Sequence, residues 1–239
     1  MATSFSKRST AVEIMDDLSC QGEVVNQTLR ELDFINHWLG GNAVTVKAVD
    51  HVLKKIPKEK EITIGDLGCG SGEMLRLLAL KLKKQNRNAN FIGVDANANI
   101  INYAIQQSKA FANVSFFADN ILEDRFKQKH FDVVLATLFF HHFETDDLIK
   151  TLRQLRQQTN FIIINDIHRH PFAYHSIKWL TQLFSKSAMV RFDAPLSVLR
   201  SFTQTEWEDI LQQAGFTDYE IHWRWAFRWQ IVIETKRSS

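Results

Sequence analysis

The sequence predicts an α/β protein built on a mostly parallel sheet with helices on both faces. Three observations carry that expectation. Short apolar segments alternate with segments of helical periodicity. The stretch 131–138 is apolar almost throughout and leaves no polar face for solvent. A glycine-rich turn joins the first strand to the next helix. Alternation of this kind marks βαβ units and a parallel sheet buried on both sides.

The elements follow in order. Val25, Leu29, Leu32, Ile35 and Leu39 recur at helical spacing, and Gly40–Gly41 end that helix. A second helix runs from Ala43 to Lys55 and stops before Pro57. Ile62–Leu67 is the first strand, Met74–Lys84 a helix, and Phe91–Val94 the second strand. Helix Ile100–Ala110 leads to strand Val114–Phe117. Strand Phe131–Leu138 should be central, because only a strand covered on both faces tolerates so few polar residues. Helix Leu148–Leu155 and strand Phe161–Ile164 complete the alternation.

The C-terminal third reads differently. His168–Phe202 is too long for a plain loop, and Phe172–Phe184 within it is expected to be a helix. Thr205 and Glu208 are read as a capping box ahead of Trp207, Ile210, Leu211 and Ala214, with Gly215 as the helix stop. Tyr219–Thr235 is strand-like, with Trp223, Trp225, Phe227 and Trp229 at period two and no Gly or Pro to mark a turn.

Composition narrows the function. The 239 residues make one large domain, or a domain with a small cap, and 45% hydrophobic residues suffice for a core. Twenty-nine basic against 27 acidic residues leave a net charge of +2, so no nucleic-acid partner is expected. Two cysteines, Cys20 and Cys69, cannot form a disulfide framework, which points to a reducing cytoplasm. No signal-peptide pattern and no 18-residue apolar run is present, so no membrane span is expected.

The sharpest feature is Asp66-Leu-Gly68-Cys-Gly70-Ser-Gly72-Glu73, between the first strand and its helix. Five of the nine glycines fall between 65 and 93, so backbone freedom is concentrated where a ligand would approach closely. The loop lacks the Gly-Lys-Ser/Thr of a phosphate-binding loop. Gly72 follows Gly70 by two residues, where a dinucleotide fingerprint needs three. Two carboxylates and no base suit a ligand with positive groups. S-adenosylmethionine carries an ammonium and a sulfonium, with a carboxylate for the helix N-terminus. Asp95 ends the second strand, where a carboxylate can accept both ribose hydroxyls. Asp119-Asn120 follows the third strand and offers an acid–amide pair to a base. Taken singly, Asp95 could be a helix cap and Asp119 a turn residue; their order along the sheet argues for one ligand.

At these residues the sequence resembles the class I S-adenosylmethionine-dependent methyltransferases. Asp-Leu-Gly-Cys-Gly-Ser-Gly (66–72) is similar to their first motif, and Gly-Val-Asp (93–95), Ala-Asp-Asn (118–120) and Phe-Asp-Val-Val-Leu-Ala (131–136) to the next three. The resemblance spans roughly residues 45–165 in order and spacing. It implies a Rossmann-like, doubly wound sheet of seven strands, mostly parallel, whose last strand is antiparallel and comes from the 219–235 region. It implies a cofactor set of Asp66 near the amino group, Gly68 and Gly70 against the methionine part, Asp95 on the ribose, and Asp119 and Asn120 at adenine, and Gly72, Ala96 and Thr137 complete the expected cofactor-binding residues. Small-molecule members carry helical caps. Residues 1–42 are the expected N-terminal cap, 43–239 the cofactor-binding domain, and 168–202 a lid-like insertion.

The acceptor should lie beyond the fourth strand, at Thr137-Leu-Phe-Phe-His141-His142-Phe. The Asn/Asp-Pro-Pro-Tyr of amino-group methylases is absent, and no acid follows this strand until Glu144, unlike the magnesium-dependent catechol type. His142 is the first candidate general base and His141 the second. His170, Tyr174 and Phe172 are candidate acceptor contacts, and Arg169 a steering charge. Asp166 with His168 and His170 lacks convincing second and third ligands for a metal site, so no metal is expected there. The aromatic content of 172–202 suits an apolar acceptor such as a phenol, a quinone precursor or a polyketide, methylated on oxygen or, as second choice, carbon. A nicotinamide oxidoreductase, a non-catalytic cofactor-binding subunit and an RNA methyltransferase are the rival readings. A second copy of the chain is the one protein partner left open.

Overall fold

The computed structural model describes residues 4–123 and 126–235 of the 239. Seven strands form one sheet: β1 (Ile62–Leu67), β2 (Ala89–Asp95), β3 (Val114–Ala118), β4 (Phe131–Thr137), β5 (Thr159–Ile167), β6 (Tyr219–Arg224) and β7 (Arg228–Glu234). Their order is β3-β2-β1-β4-β5-β7-β6. β1 to β5 are mutually parallel, while β7 runs antiparallel to both β5 and β6, so the sheet is mixed. β4 is the middle strand, as its apolar run requires. Val133 and Leu135 face one core, and Val134 and Ala136 the other.

Helices cover both faces. α1 (Glu23–Trp38) precedes α2 (Gly41–Leu53) and α3 (Glu73–Lys84), and the last two pack with Ile62, Ile64 and Ile163. α4 (Ala98–Gln107) is capped by Asn97, whose side chain accepts from Asn99 and Ile100. α5 (Thr145–Gln158) and α8 (Gln204–Gln213) cover the opposite face. Between β5 and α8 lie α6 (Pro171–Phe184) and α7 (Ala188–Arg200).

One local expectation is overturned, and two further features carry no mark in the sequence. The capping box of α8 is Thr203 with Glu206, two residues earlier than the Thr205–Glu208 pair. Both pairs fit the pattern; the buried faces of Trp207, Ile210 and Leu211 fix the register. α7 had no sequence signature. It holds Pro195 and buries polar Asp193 and Ser197 beside apolar Val190 and Val198, which erases the amphipathic stripe. The turn between β6 and β7 is Trp225–Ala226–Phe227, and Phe227 itself takes φ 54°, so no glycine marks it.

Candidate functional site

The order β3-β2-β1-β4-β5 reverses direction between β1 and β4. A crevice opens at such a point beyond the carboxyl ends of the strands. A cavity of about 570 Å³ occupies it. One end is lined by Asp66, Gly68, Gly70, Asp95 and Ala96, the other by His141, His142 and the apolar side chains of α1, α6 and α7.

The cofactor end is built by the β1–α3 turn. Val94 carbonyl accepts from the N–H groups of Gly68 (2.8 Å) and Cys69 (3.1 Å), folding the loop against β2. Gly68 has φ 65°, and a Cβ there would collide with the Phe139 ring. Gly72 (φ 76°) is the N-cap of α3, and its Cβ would strike Phe116 at 2.6 Å. Asp95 accepts from Asn97 N–H (3.0 Å) and Gly70 N–H (3.3 Å), which fixes its plane. Burial still raises its pKa above the ordinary carboxylate value, against those two bonds. Asp66 is buried, and its Oδ1 has no hydrogen-bond partner among the described residues. Burial, then the Asp95 charge, pushes its pKa up to about 8. A buried carboxyl with an open acceptor beside a glycine cradle is what an ammonium-bearing ligand would complete. Thr137 lines the same cavity and its hydroxyl meets that of Thr45 at 3.1 Å. Asp119 and Asn120 follow β3, with Asp119 N–H donating to Asp95 carbonyl (3.0 Å), but neither they nor Gly72 line the cavity wall.

The other end joins distant segments. His141 is buried; its Nδ1–H donates to Asp166 Oδ1 (2.7 Å) and its backbone N–H to Asp166 Oδ2 (3.0 Å). Burial would raise the Asp166 pKa, but His141 outweighs it and holds the carboxyl below its ordinary value. His142 is partly exposed, and its Nδ1–H donates to Asp16 Oδ1 at 2.6 Å. Glu13 Oε1 stands 3.8 Å from His141 Nε2, and Glu13 Oε2 accepts from Ser197 (2.9 Å). Burial pushes the Glu13 carboxyl up to about 7, against the opposing pull of His142. Glu13, His141 and His142 each offer one atom within 4.8 Å of the others, the cluster among the described residues with the spacing to receive a cation.

The candidate acceptor contacts are placed differently. α6 turns Ala173, Ser176, Ile177 and Leu180 toward the cavity. Phe172 and Tyr174 lie off that face; Phe172 is exposed and Tyr174 packs edge-on against Phe5. His170 is the N-cap of α6, accepting from Phe172 N–H and stacked on Phe227. Arg169 is buried in a two-bond pair with Glu206, so it steers nothing. Asp166 serves His141 rather than any His168–His170 metal group. These residues follow one another closely in sequence, but the start of α6 sends them to different faces.

The sequence reading missed Glu13, Asp16, Asp33 and Arg228, all on the cavity wall. Arg228 is buried, donates to Asn36 (2.8 Å), and is lowered by burial to a pKa of about 10. None sits in a local motif; Arg228 follows the unmarked turn, and Glu13 and Asp16 lie in a polar N-terminal stretch.

The fold and this cofactor end define an S-adenosylmethionine-dependent methyltransferase. The methyltransferase-domain family matches residues 58–215, and the chain belongs to it. A carboxy-S-adenosyl-L-methionine synthase from Staphylococcus epidermidis is 24% identical over 204 residues, 74% of this chain and 87% of the relative. The plantazolicin methyltransferase BpumL, solved with S-adenosylhomocysteine, shares the fold at TM-score 0.64 and 21% identity, covering 88% of each chain. The CMeT domain of the citrinin polyketide synthase shares it at TM-score 0.61 and 15% identity, over 80% of this chain and 51% of that one, about half its length. No helix among the described residues is long and apolar enough to cross a membrane.

Proposed function

We propose that this methyltransferase acts on an apolar aromatic small molecule, on oxygen in preference to carbon. The acceptor class is a phenol, a quinone precursor or a polyketide-like compound. One observation carries the reading: a single cavity runs from Asp66 and Asp95 to His141 and His142, and beside the ionisable Glu13, Asp16, Asp33 and Arg228 its far walls include the apolar Leu29, Leu32, Ile177, Leu180, Val198 and Phe227. Such walls exclude water and suit a flat apolar molecule. The solved neighbours named for plantazolicin and for the citrinin polyketide synthase support a small-molecule acceptor and no particular one.

S-adenosylmethionine, when bound, supplies an electrophilic methyl group. Asp66 would receive its ammonium, Gly68 and Gly70 its methionine part, and Asp95 and Ala96 its ribose, while Asp119 and Asn120, which follow β3 beyond the cavity wall, would meet adenine at the cavity's edge. The cap (1–42) and the 168–202 insertion hold the acceptor from two sides through α1, α6 and α7. Alignment of acceptor and methyl group is worth about 7–11 kcal/mol in such a site. His142 accepts the acceptor's proton, with His141 as second choice; a placed base adds roughly 10²–10⁴-fold.

The test is calorimetry with S-adenosylhomocysteine, followed by turnover of a panel of phenols and β-diketones. His142→Ala should leave S-adenosylhomocysteine affinity within about twofold and lower kcat by about 10²-fold or more. Unchanged turnover in that variant removes the base assignment. Salt-dependent methylation of RNA with no small-molecule turnover overturns the acceptor class.

A further inference from the structure

The N-terminal residues 13–17 form a strap seated on α7. Asp193 accepts from the backbone N–H groups of Ile14 (2.8 Å) and Met15 (3.1 Å). Ser197 donates to Glu13 (2.9 Å), and Arg200 donates to Asp16 Oδ2 with one nitrogen and to the His142 carbonyl (2.8 Å) with the other. Three successive turns of α7 therefore hold one short segment, and that segment delivers Asp16 to His142 Nδ1.

We infer that Asp16 is the positioning residue for His142: it fixes the imidazole tautomer that presents an open Nε2 to the acceptor. This rests on the reading of His142 as the base. The chemistry follows from the hydrogen-bond roles. Asp16 Oδ2 already accepts from Arg200 and from the Glu13 backbone N–H (3.2 Å). Oδ1 is then the atom left for His142, and a carboxylate can only accept, so Nδ1 carries a proton and, in the neutral imidazole, Nε2 keeps the lone pair. The groups surrounding the pair are Glu13 on the strap, Asp193 and Arg200 on α7, His141 beside it, Asp166 on β5 and Asp95 at the end of β2. Arg200 and His142 overcome the effect of burial on Asp16 and hold its carboxyl far below the ordinary range, so it stays an acceptor. The base is thus assembled only when the strap is seated.

Asp16→Asn tests this sharply. Arg200 and the Glu13 N–H would hold the amide oxygen, turning the NH₂ toward His142 Nδ1 and forcing the Nε2–H tautomer. Expected results are a kcat at least about tenfold lower, an S-adenosylhomocysteine affinity within twofold of the parent, and ¹⁵N imidazole shifts of His142 that report the exchanged tautomer. An unexchanged tautomer overturns the inference, whatever kcat does. An exchanged tautomer with kcat intact overturns the base reading instead. Should Asp16→Asn not fold, Arg200→Lys serves as the second variant. It keeps the charge but not the two-armed grip, so weakened order in the His142 tautomer signal supports the assignment and an unchanged signal opposes it.

Discussion

The two ends of the cavity are built by opposite strategies. The cofactor end takes its residues from consecutive strand ends, each within a few residues of its own motif. Asp66, Gly68, Gly70 and Asp95 are placed by the β1 and β2 backbones, and short backbone bonds such as Gly68 N–H to Val94 carbonyl lock them. The acceptor end takes its residues from the N-terminal strap, α1, the turn after β4, α6, α7 and the β6–β7 turn. These segments lie up to about two hundred residues apart in the chain, and only packing brings them together. A strand end fixes a side chain through its neighbours in the ladder, whereas a surface helix can be re-docked or replaced without disturbing the sheet. On the proposed reading, the rigid half holds the cofactor and acceptor choice is left to the half that can vary.

That contrast can be broken by perturbing one end and reading both. The largest effect is expected at Gly68. Gly68→Val places a branched side chain at φ 65° and drives its Cβ into Phe139. Strain and overpacking at such a position amount to several kcal/mol, so S-adenosylhomocysteine affinity should fall by about a hundredfold or more by calorimetry. An affinity near the parent value would show that the cradle does not approach the ligand.

Asp66 gives the next effect, and its sign is fixed by its raised pKa. A buried carboxyl titrating near 8 instead of 3.8 holds a proton in the folded protein that the unfolded chain has already lost. Ligand-free stability should therefore be greatest below about pH 4 as far as this group is concerned, and decline as pH rises toward 8. An arriving ammonium expels that proton, so S-adenosylhomocysteine affinity should rise between pH 6 and 8 with measurable proton release. Asp66→Asn should flatten that pH dependence and weaken binding roughly tenfold, the scale of one charge-assisted bond. A steep pH dependence surviving in Asp66→Asn would assign the proton elsewhere.

The smallest effect sharpens the division. Leu180 faces the cavity from α6. Leu180→Trp fills acceptor space and should raise KM for a bulky phenol by a few-fold to about tenfold, the range of moderate overpacking. S-adenosylhomocysteine affinity should stay within twofold. Equal losses for both ligands would mean that the cavity behaves as one site rather than two halves.

Legibility followed the same division. Strand positions were readable because an apolar run such as Phe131–Leu138 can be satisfied only between two covering layers. The glycine loop was readable because its residues are consecutive and its spacing excludes other loops. His141 and His142 were readable as a pair, but not their partners. Asp166 and Asp16 lie 25 and 126 residues away from their respective histidines, and no periodicity announces such pairing. The capping box of α8 was misplaced because two threonine–glutamate pairs fit, and burial alone chooses between them.

The order of hydrophobic and polar residues by itself determined an α/β chain of five alternating strands with a strand-like C-terminal stretch, and the acidic, glycine-rich loop after the first strand, because strand burial and turn chemistry act over a few neighbouring residues. Tertiary structure alone decided which face of α6 meets the cavity, how α7 carries the N-terminal strap, and which carboxylate reaches each imidazole. Those outcomes depend on helices docking across the end of the sheet, where contacts between remote segments, and no local rule, set the geometry.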